Sequence, residues 1–226
     1  MTARTLHFYF DYLSPYAYFS WRALQPLCQR YNLTLEPHPV VFGKLLDHWG
    51  QLGPAEVVPK KAALYRYCYR YAAVHGFEFN PPHCHPFNPL PALRLSLAAV
   101  SGEKQTTLIS AIFDAGWSQG ADLSCTETLR GIVSAAGLEA DVVLEKITQT
   151  DTKALLHKET EQAIAQGVFG VPTFIIEDAL FWGNDQLEHI ELFLQGKDPL
   201  DAEKVAQMLA RERGIDRKVM QKKGPA

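Results

Sequence analysis

With 226 residues, 47% of them hydrophobic, the chain is long enough to bury a sizeable core as one domain or as one domain with a large insertion. A net charge of -3 argues against a nucleic-acid-binding protein. No run of about 18 apolar residues is present to span a membrane, and no basic-then-apolar leader opens the sequence. The four cysteines, Cys28, Cys68, Cys84 and Cys125, are widely separated and form no C-x-x-C pair, which reads as reduced thiols in a cytosolic protein.

In chain order, Leu6 to Phe10 is nearly continuous apolar and aromatic, the pattern of a central strand covered on both faces. Ser14-Pro15 then starts a helix, because a Ser side chain caps the orphan N–H groups and proline suits the first helical position. Ala17, Tyr18, Trp21, Leu24, Cys28 and Tyr31 follow at helical spacing. The Ser14 hydroxyl therefore stands where a strand ends and a helix dipole begins, a place that favours a bound anion. Leu33 to Glu36 alternates as a second strand, ended by Pro37 and Pro39. Residues 43–58 read as a loop with a short helix. The alternating Tyr65, Tyr67, Tyr69 and Tyr71 sit in a segment whose alanine flanks, lysines and arginines favour helix, and these tyrosines read as packing residues. Residues 80–91, with five prolines, form a loop.

From Ala92 to Gly167 the pattern is helical, with helices over about 91–101, 104–116, 124–136, 140–147 and 152–166. Val171 to Ile176 is a strand opened by Pro172, Glu177-Asp178 a turn, and Leu180 to Trp182 another strand. Asn184 or Asp185 caps a helix running to about Leu194, one more helix contains Val205, Met208 and Leu209, and the basic end from Arg217 to Ala226 frays. This order is an α/β, thioredoxin-like plan with a large all-helical insertion. The expected division is a discontinuous thioredoxin-like domain over 1–45 and 150–200, a helical insertion over 46–149, and a C-terminal helix and tail over 201–226.

Three segments carry a resemblance: Phe8 to Tyr16, Val168 to Thr173, and Phe181 to Leu187. In this order and spacing the chain resembles the 2-hydroxychromene-2-carboxylate isomerases and, more distantly, the kappa-class glutathione transferases. Where the thioredoxin plan carries its redox cysteines, this chain reads Ser14-Pro15-Tyr16-Ala17, so dithiol chemistry has lost both sulfurs. The resemblance implies glutathione as cofactor, its sulfur accepting a hydrogen bond from Ser14 as the catalytic residue. It implies a cis Val171-Pro172 bond, with Val171 pairing like a strand with the cysteinyl part of the tripeptide. It further implies that Trp182, Gly183, Asn184 and Asp185 hold the γ-glutamyl end, with Asp185 facing the ammonium. Lys44 and Tyr16 are expected on the side of a small aromatic substrate, and a cytoplasmic homodimer is implied.

Each assignment has a plainer counterpart: Ser14 and Asn184-Asp185 as helix caps, Pro172 as a strand-start proline, Lys44 as a solvated lysine. His83-Cys84-His85 is too tightly spaced for one tetrahedral site, so no metal is expected. Two positions depart from the relatives: Glu56 after Gly53-Pro54, where they have Asn, and His83 to His85, where they have a tyrosine. Both fall on the substrate side. The implied reaction is the glutathione-dependent interconversion of 2-hydroxychromene-2-carboxylate and trans-o-hydroxybenzylidenepyruvate, a step of aromatic breakdown. A kappa-like glutathione transferase and a non-catalytic thioredoxin-fold binding module are the alternatives.

Overall fold

The computed structural model describes residues 4–212 and Gly214. A four-stranded sheet in the order β2-β1-β3-β4 lies at its centre. The strands are β1 (Thr5–Phe10), β2 (Thr34–Pro39), β3 (Thr173–Ile176) and β4 (Ala179–Trp182). β2 runs parallel to β1 with Leu6 opposite Leu35, and β3 runs antiparallel on the other side with Phe8 opposite Phe174. The helices are α1 (Pro15–Tyr31), α2 (Phe42–Trp49), α3 (Val58–His75), α4 (Leu90–Leu95), α5 (Ala98–Ser101), α6 (Gln105–Phe113), α7 (Thr126–Ala135), α8 (Ala140–Lys146), α9 (Thr150–Ala165), α10 (Leu187–Leu194) and α11 (Ala202–Leu209). Among the described residues no strand lies between β2 and β3.

β1 organises the core. Leu6, Phe8 and Phe10 point to one face and are fully buried against α1 and α6, where Phe10 and Tyr12 lie 5.5 and 4.6 Å from the Phe113 ring. Tyr9, on the opposite face, packs with Val40, Leu45, Ala163, Val168 and Val171 in a second, smaller core. Only the second half of β1 is covered on both faces, because His7 is partly exposed.

Several expected boundaries move. β2 continues through Pro37 to Pro39. Thr34 N and Val40 N donate toward β1, so the odd-numbered positions between them turn their N–H side to the open edge, where a proline loses nothing. The strand expected from Val171 begins at Thr173; the Val171-Pro172 bond is cis, and the ladder extends only by the Gly183 N–H donating to the Pro172 carbonyl. The helix expected over 91–101 is two short helices, the one over 104–116 ends at Phe113 in a wider turn over Asp114–Ser118, and the last long helix starts at Thr150. Neither Asn184 nor Asp185 caps α10. Both lie in a tight turn, Asn184–Gln186, that precedes it. The basic tail from Arg217 to Ala226 lies outside the described residues.

The β1–α1 loop and α1 itself are tied to the segments between β2 and β3 by three bonds. Trp117 Nε1 donates to the Tyr12 carbonyl at 2.8 Å, the Tyr12 and Ser96 hydroxyls meet at 2.5 Å, and the Tyr18 hydroxyl donates to the Glu78 carbonyl at 2.8 Å. These bonds satisfy buried polar groups that would otherwise cost about 1–3 kcal/mol each, and they fix the loop from which α1 starts.

Candidate active site

Ser14 caps α1. Its Oγ accepts the Ala17 N–H at 3.1 Å and donates to the Val171 carbonyl at 3.3 Å, and the side chain is buried. Pro15 supplies the first helical position without an orphan N–H. The turn before it is held by Asp11, whose Oδ1 accepts the Leu13 N–H and whose Oδ2 accepts the Phe42 N–H, both at 2.9 Å. One buried carboxylate thus joins the start of α1 to the start of α2. Burial pushes its pKa up to about 7, and the two backbone donors oppose that rise.

Two cavities meet beside Ser14. A cleft of about 580 Å³ is lined by Tyr16, Tyr67, Val171, Trp182, Asn184 and Asp185, among others. A smaller cavity of about 180 Å³, mainly apolar, is lined by Ser14, Leu13, Glu56, Leu64 and His85. Tyr16, Phe42, Leu46, Pro54 and Val171 line both, so the two adjoin in one joined depression, and Ser14 lines the smaller part.

The far wall is built on glycine. Gly170 has no room for a side chain, since a Cβ there would lie 2.6 Å from Trp182 Nε1. Gly183 has φ +109°, and a Cβ would collide with Asp185 Oδ1. The carboxylate of Asp185 therefore lies against Gly183, and Asp185 lines the cleft. Asn184 is buried and its Nδ2 donates to the Tyr67 hydroxyl at 3.0 Å, which ties this turn to α3. The Tyr16 ring meets Tyr67 edge-on at 5.3 Å. Burial first, then Cys68, Tyr67 and Asp185, push the Tyr16 hydroxyl up to about 12, so it stays a neutral donor at ordinary pH.

Ser14, Tyr16, Val171, Trp182, Gly183, Asn184 and Asp185 thus line this joined depression, whereas Lys44 does not. Lys44 is exposed on the outer side of α2, two positions from Phe42 and Leu46 and so roughly 200° around the helix from the residues that face the cleft. The lysine at the lining is Lys60, one helical face with Leu64, Tyr67 and Tyr71. Tyr67, expected as packing, is a wall of the cleft. The sequence signal for it was the i, i+4, i+7 relation of Lys60, Leu64 and Tyr67, masked by the period-two run of tyrosines. Cys28 and Cys68 are buried, Cys84 and Cys125 exposed, and none is in a disulfide.

The family described as DSBA-like thioredoxin domain matches residues 5–195. The chain is 30% identical over 196 residues to a 2-hydroxychromene-2-carboxylate isomerase of Sphingobium xenophagum, covering 84% of this chain and 98% of that one. It belongs to this DsbA-like isomerase family. A solved structure of a 2-hydroxychromene-2-carboxylate isomerase superposes with a TM-score of 0.78 at 24% identity, over 90% of this chain and 98% of that one, which shows the shared fold. The kappa 1 glutathione S-transferase of Rattus norvegicus is 25% identical over 213 residues, 86% of this chain and 92% of the relative. Within the DsbA-like fold this member holds a hydroxyl at the α1 start and no cysteine nearby in sequence. The chemistry left to that position is hydrogen-bond donation rather than disulfide exchange. No helix among the described residues is long and apolar enough to cross a membrane.

Proposed function

We propose that the joined depression binds glutathione and that the chain is a glutathione-dependent cis-trans isomerase of a small aromatic substrate, with 2-hydroxychromene-2-carboxylate and trans-o-hydroxybenzylidenepyruvate as the pair interconverted. The observation that carries this reading is the Ser14 hydroxyl at the N-terminus of α1, buried where a cleft of tripeptide size opens into a second, apolar cavity. The residues present suit the tripeptide. Val171 lines the cleft and offers its backbone to a ligand main chain, Asn184 and Asp185 offer backbone N–H groups to a carboxylate, the Asp185 side chain offers a partner for an ammonium, and Lys60 offers one for the other carboxylate. The names of the isomerase and kappa transferase relatives support the same reading.

Bound glutathione supplies a thiolate that adds reversibly to a conjugated carbon, so that a double bond becomes single long enough to rotate. Ser14 turns its hydroxyl hydrogen from the long Val171 contact to the sulfur, and the first N–H groups of α1 add their partial positive charge. An unassisted serine is a poor nucleophile, so its part is charge stabilisation. The apolar cavity beside Ser14 takes the aromatic ring and keeps water from it. Tyr16, a neutral donor shared by both cavities, holds an oxygen of the substrate.

The kappa transferase relative favours a second reading, in which the same thiolate is formed and the adduct is released. One experiment separates them. Glutathione is titrated calorimetrically into the protein, and turnover of the chromene substrate is then followed with the thiol concentration monitored. One bound tripeptide per chain with thiol conserved is the expected result. Net thiol loss identifies a transferase, and absence of binding overturns both in favour of a binding module. This reading also places the protein in the reducing cytoplasm as a homodimer, which light scattering on the purified chain tests.

A further inference from the structure

On the sheet face away from the aromatic core, β1 and β2 bring three ligand-type side chains together. His7 and Glu36 are directly opposite in the parallel register, and His38, opposite Tyr9, is the next residue on the same face. His7 Nδ1 lies 3.0 Å from His38 Nε2 and 3.3 Å from Glu36 Oε2. The ligand atoms of all three lie within 4.8 Å of one another, and among the described residues this is the sole group of three or more His, Cys, Asp or Glu side chains so placed. None belongs to the Ser14 depression.

We propose that His7, Glu36 and His38 form a binding site for a divalent transition-metal cation of the Zn²⁺ class, separate from the Ser14 site. Three arguments converge. First, ligands at about 2.0–2.1 Å from a tetrahedral metal are about 3.3 Å from one another, and two of the three separations already have nearly that value. Second, two imidazoles and one carboxylate are the donor set that suits zinc and its neighbours in the first transition row. Third, the outer partner is in place: His38 Nδ1 lies 3.2 Å from Glu159 Oε2 on α9. Metal-bound imidazoles usually donate their second N–H to a carboxylate, which fixes the ring and its tautomer. The Tyr9 ring stacks on His38 at 4.8 Å, and Tyr9 is itself anchored through its hydroxyl to Gln166, so the His38 plane is set before any ion arrives.

Without metal, a hydrogen on His7 Nδ1 is the arrangement that would account for both its contact to Glu36 and its contact to His38. A cation takes the place of that hydrogen, with His7 in its other tautomer. The cluster is partly open, and a cavity of about 230 Å³ lined by Glu36, His38 and Glu159 leaves room for water or another exchangeable ligand at the fourth position. No sequence motif announces the site, because the sheet register alone unites residues 31 apart.

The test uses the full-length, chelator-treated protein. Zn²⁺ is titrated in a calorimeter, Co²⁺ is titrated by visible absorption, and the imidazole ¹H–¹⁵N signals are followed during the Zn²⁺ titration. One ion per chain is expected, with tetrahedral Co²⁺ absorption and shifts confined to His7 and His38. His7→Ala and His38→Gln should each weaken Zn²⁺ binding more than tenfold, and Glu159→Gln about tenfold. Replacing the exposed thiols, Cys84→Ser with Cys125→Ser, should leave it unchanged. The proposal is overturned by absence of stoichiometric binding, which makes the cluster a hydrogen-bonded one only. It is equally overturned by imidazole shifts at other histidines, or by binding that disappears in the cysteine variant. The imidazole spectra are read on the unaltered protein, so a histidine variant that fails to fold does not decide the outcome.

Discussion

The Ser14 hydroxyl and the Val171 carbonyl face each other across 3.3 Å, longer than the roughly 2.5–3.0 Å usual for an O–H···O bond, while the same Oγ accepts the Ala17 N–H at 3.1 Å. The hydroxyl therefore caps a helix with its lone pair and keeps its hydrogen on a weakly held acceptor that an anion can replace. A free thiol has a pKa of about 8.5. A hydrogen bond to a charged acceptor contributes about 1.5–3 kcal/mol, against about 1.4 kcal/mol for one pKa unit. Ser14→Ala should raise the pKa of bound glutathione by about 1–2 units, read from its ultraviolet thiolate band, and reduce turnover at neutral pH. The lost cap should lower the melting temperature by about 2–4 °C. Ser14→Asp separates the two roles. It restores the cap and hence the melting temperature, but it sets a negative charge beside the sulfur and should raise the thiol pKa beyond that in Ser14→Ala. Equal titration midpoints in all three proteins would reduce Ser14 to a helix cap.

Asp11 makes the fold sensitive to pH. Its carboxyl is fully buried and its pKa rises from an ordinary 3.8 to about 7. The folded state then holds a proton that the unfolded chain has released, so this group's stabilising contribution is complete below pH 3.8 and is lost as pH rises to about 7. The slope is about 1.4 kcal/mol per pH unit while the two states differ by one proton. Denaturant unfolding of the wild type and of Asp11→Asn, measured across this window, should show the one-proton slope in the first and not in the second. The amide cannot offer two acceptor oxygens, so Asp11→Asn should also release either the Leu13 or the Phe42 N–H and cost about 1–3 kcal/mol. Parallel stability curves would show that Asp11 is ionised throughout.

The β1–α1 segment was legible because each of its signals is local: a continuous apolar run, a capping serine and a proline at the first helical position act within ten residues. The cis bond at Val171-Pro172 followed from the resemblance rather than from a local signal. Tyr67 and Lys60 were not legible, since what recruits them is the rotation of α3 against the 184–186 turn, a contact 117 residues away in sequence. Lys44 was misplaced by proximity in the chain. It follows β2 closely, but α2 turns Leu45 and Leu46 inward and leaves Lys44 outside. β2 ran past its prolines because strand-ending rules assume two paired edges, and this strand has one. Asp11 stood inside the recognised segment without an assigned task, because its second partner, Phe42, comes from the next helix.

Gly170 and Trp182 give a direct test of the glutathione wall. Trp182 is 52% exposed in the free protein, so its fluorescence should respond to a ligand in the cleft. Gly170→Ala places a methyl 2.6 Å from the indole nitrogen and displaces a ring that lines the cleft. Glutathione should bind roughly tenfold more weakly, about 1.4 kcal/mol, with a shifted tryptophan emission in the absence of ligand. Gly131→Ala, where a Cβ meets nothing within 4 Å, is the control and should bind as wild type. Equal affinities for both variants would mean that the tripeptide does not lie against this wall.

His85 tests the division between a glutathione side and a substrate side. The imidazole Nε2 lies 2.9 Å from the Leu13 carbonyl, so that nitrogen carries the hydrogen and Nδ1 is left as an acceptor, buried without a partner. Burial lowers the His85 pKa below the ordinary imidazole value, which keeps this neutral tautomer at pH 7. The residue lines the small cavity with Ser14 and Glu56 but does not line the larger cleft. The Glu56 carboxylate is engaged by the Gly53 N–H at 2.7 Å, so of the two His85 keeps the uncommitted acceptor, Nδ1, which is closed to solvent in the free protein and meets a substrate hydroxyl only if the ring turns. His85→Ala should therefore leave the glutathione dissociation constant within about twofold and lower kcat/KM for the chromene substrate by about tenfold, the worth of one hydrogen bond. Removing the imidazole also frees the Leu13 carbonyl, so His85→Gln serves as the companion variant, its amide nitrogen able to donate to that carbonyl. Recovery of stability without recovery of kcat/KM would assign His85 to the substrate. Parallel losses of glutathione affinity and turnover in both variants would show that it only supports the loop that carries Ser14.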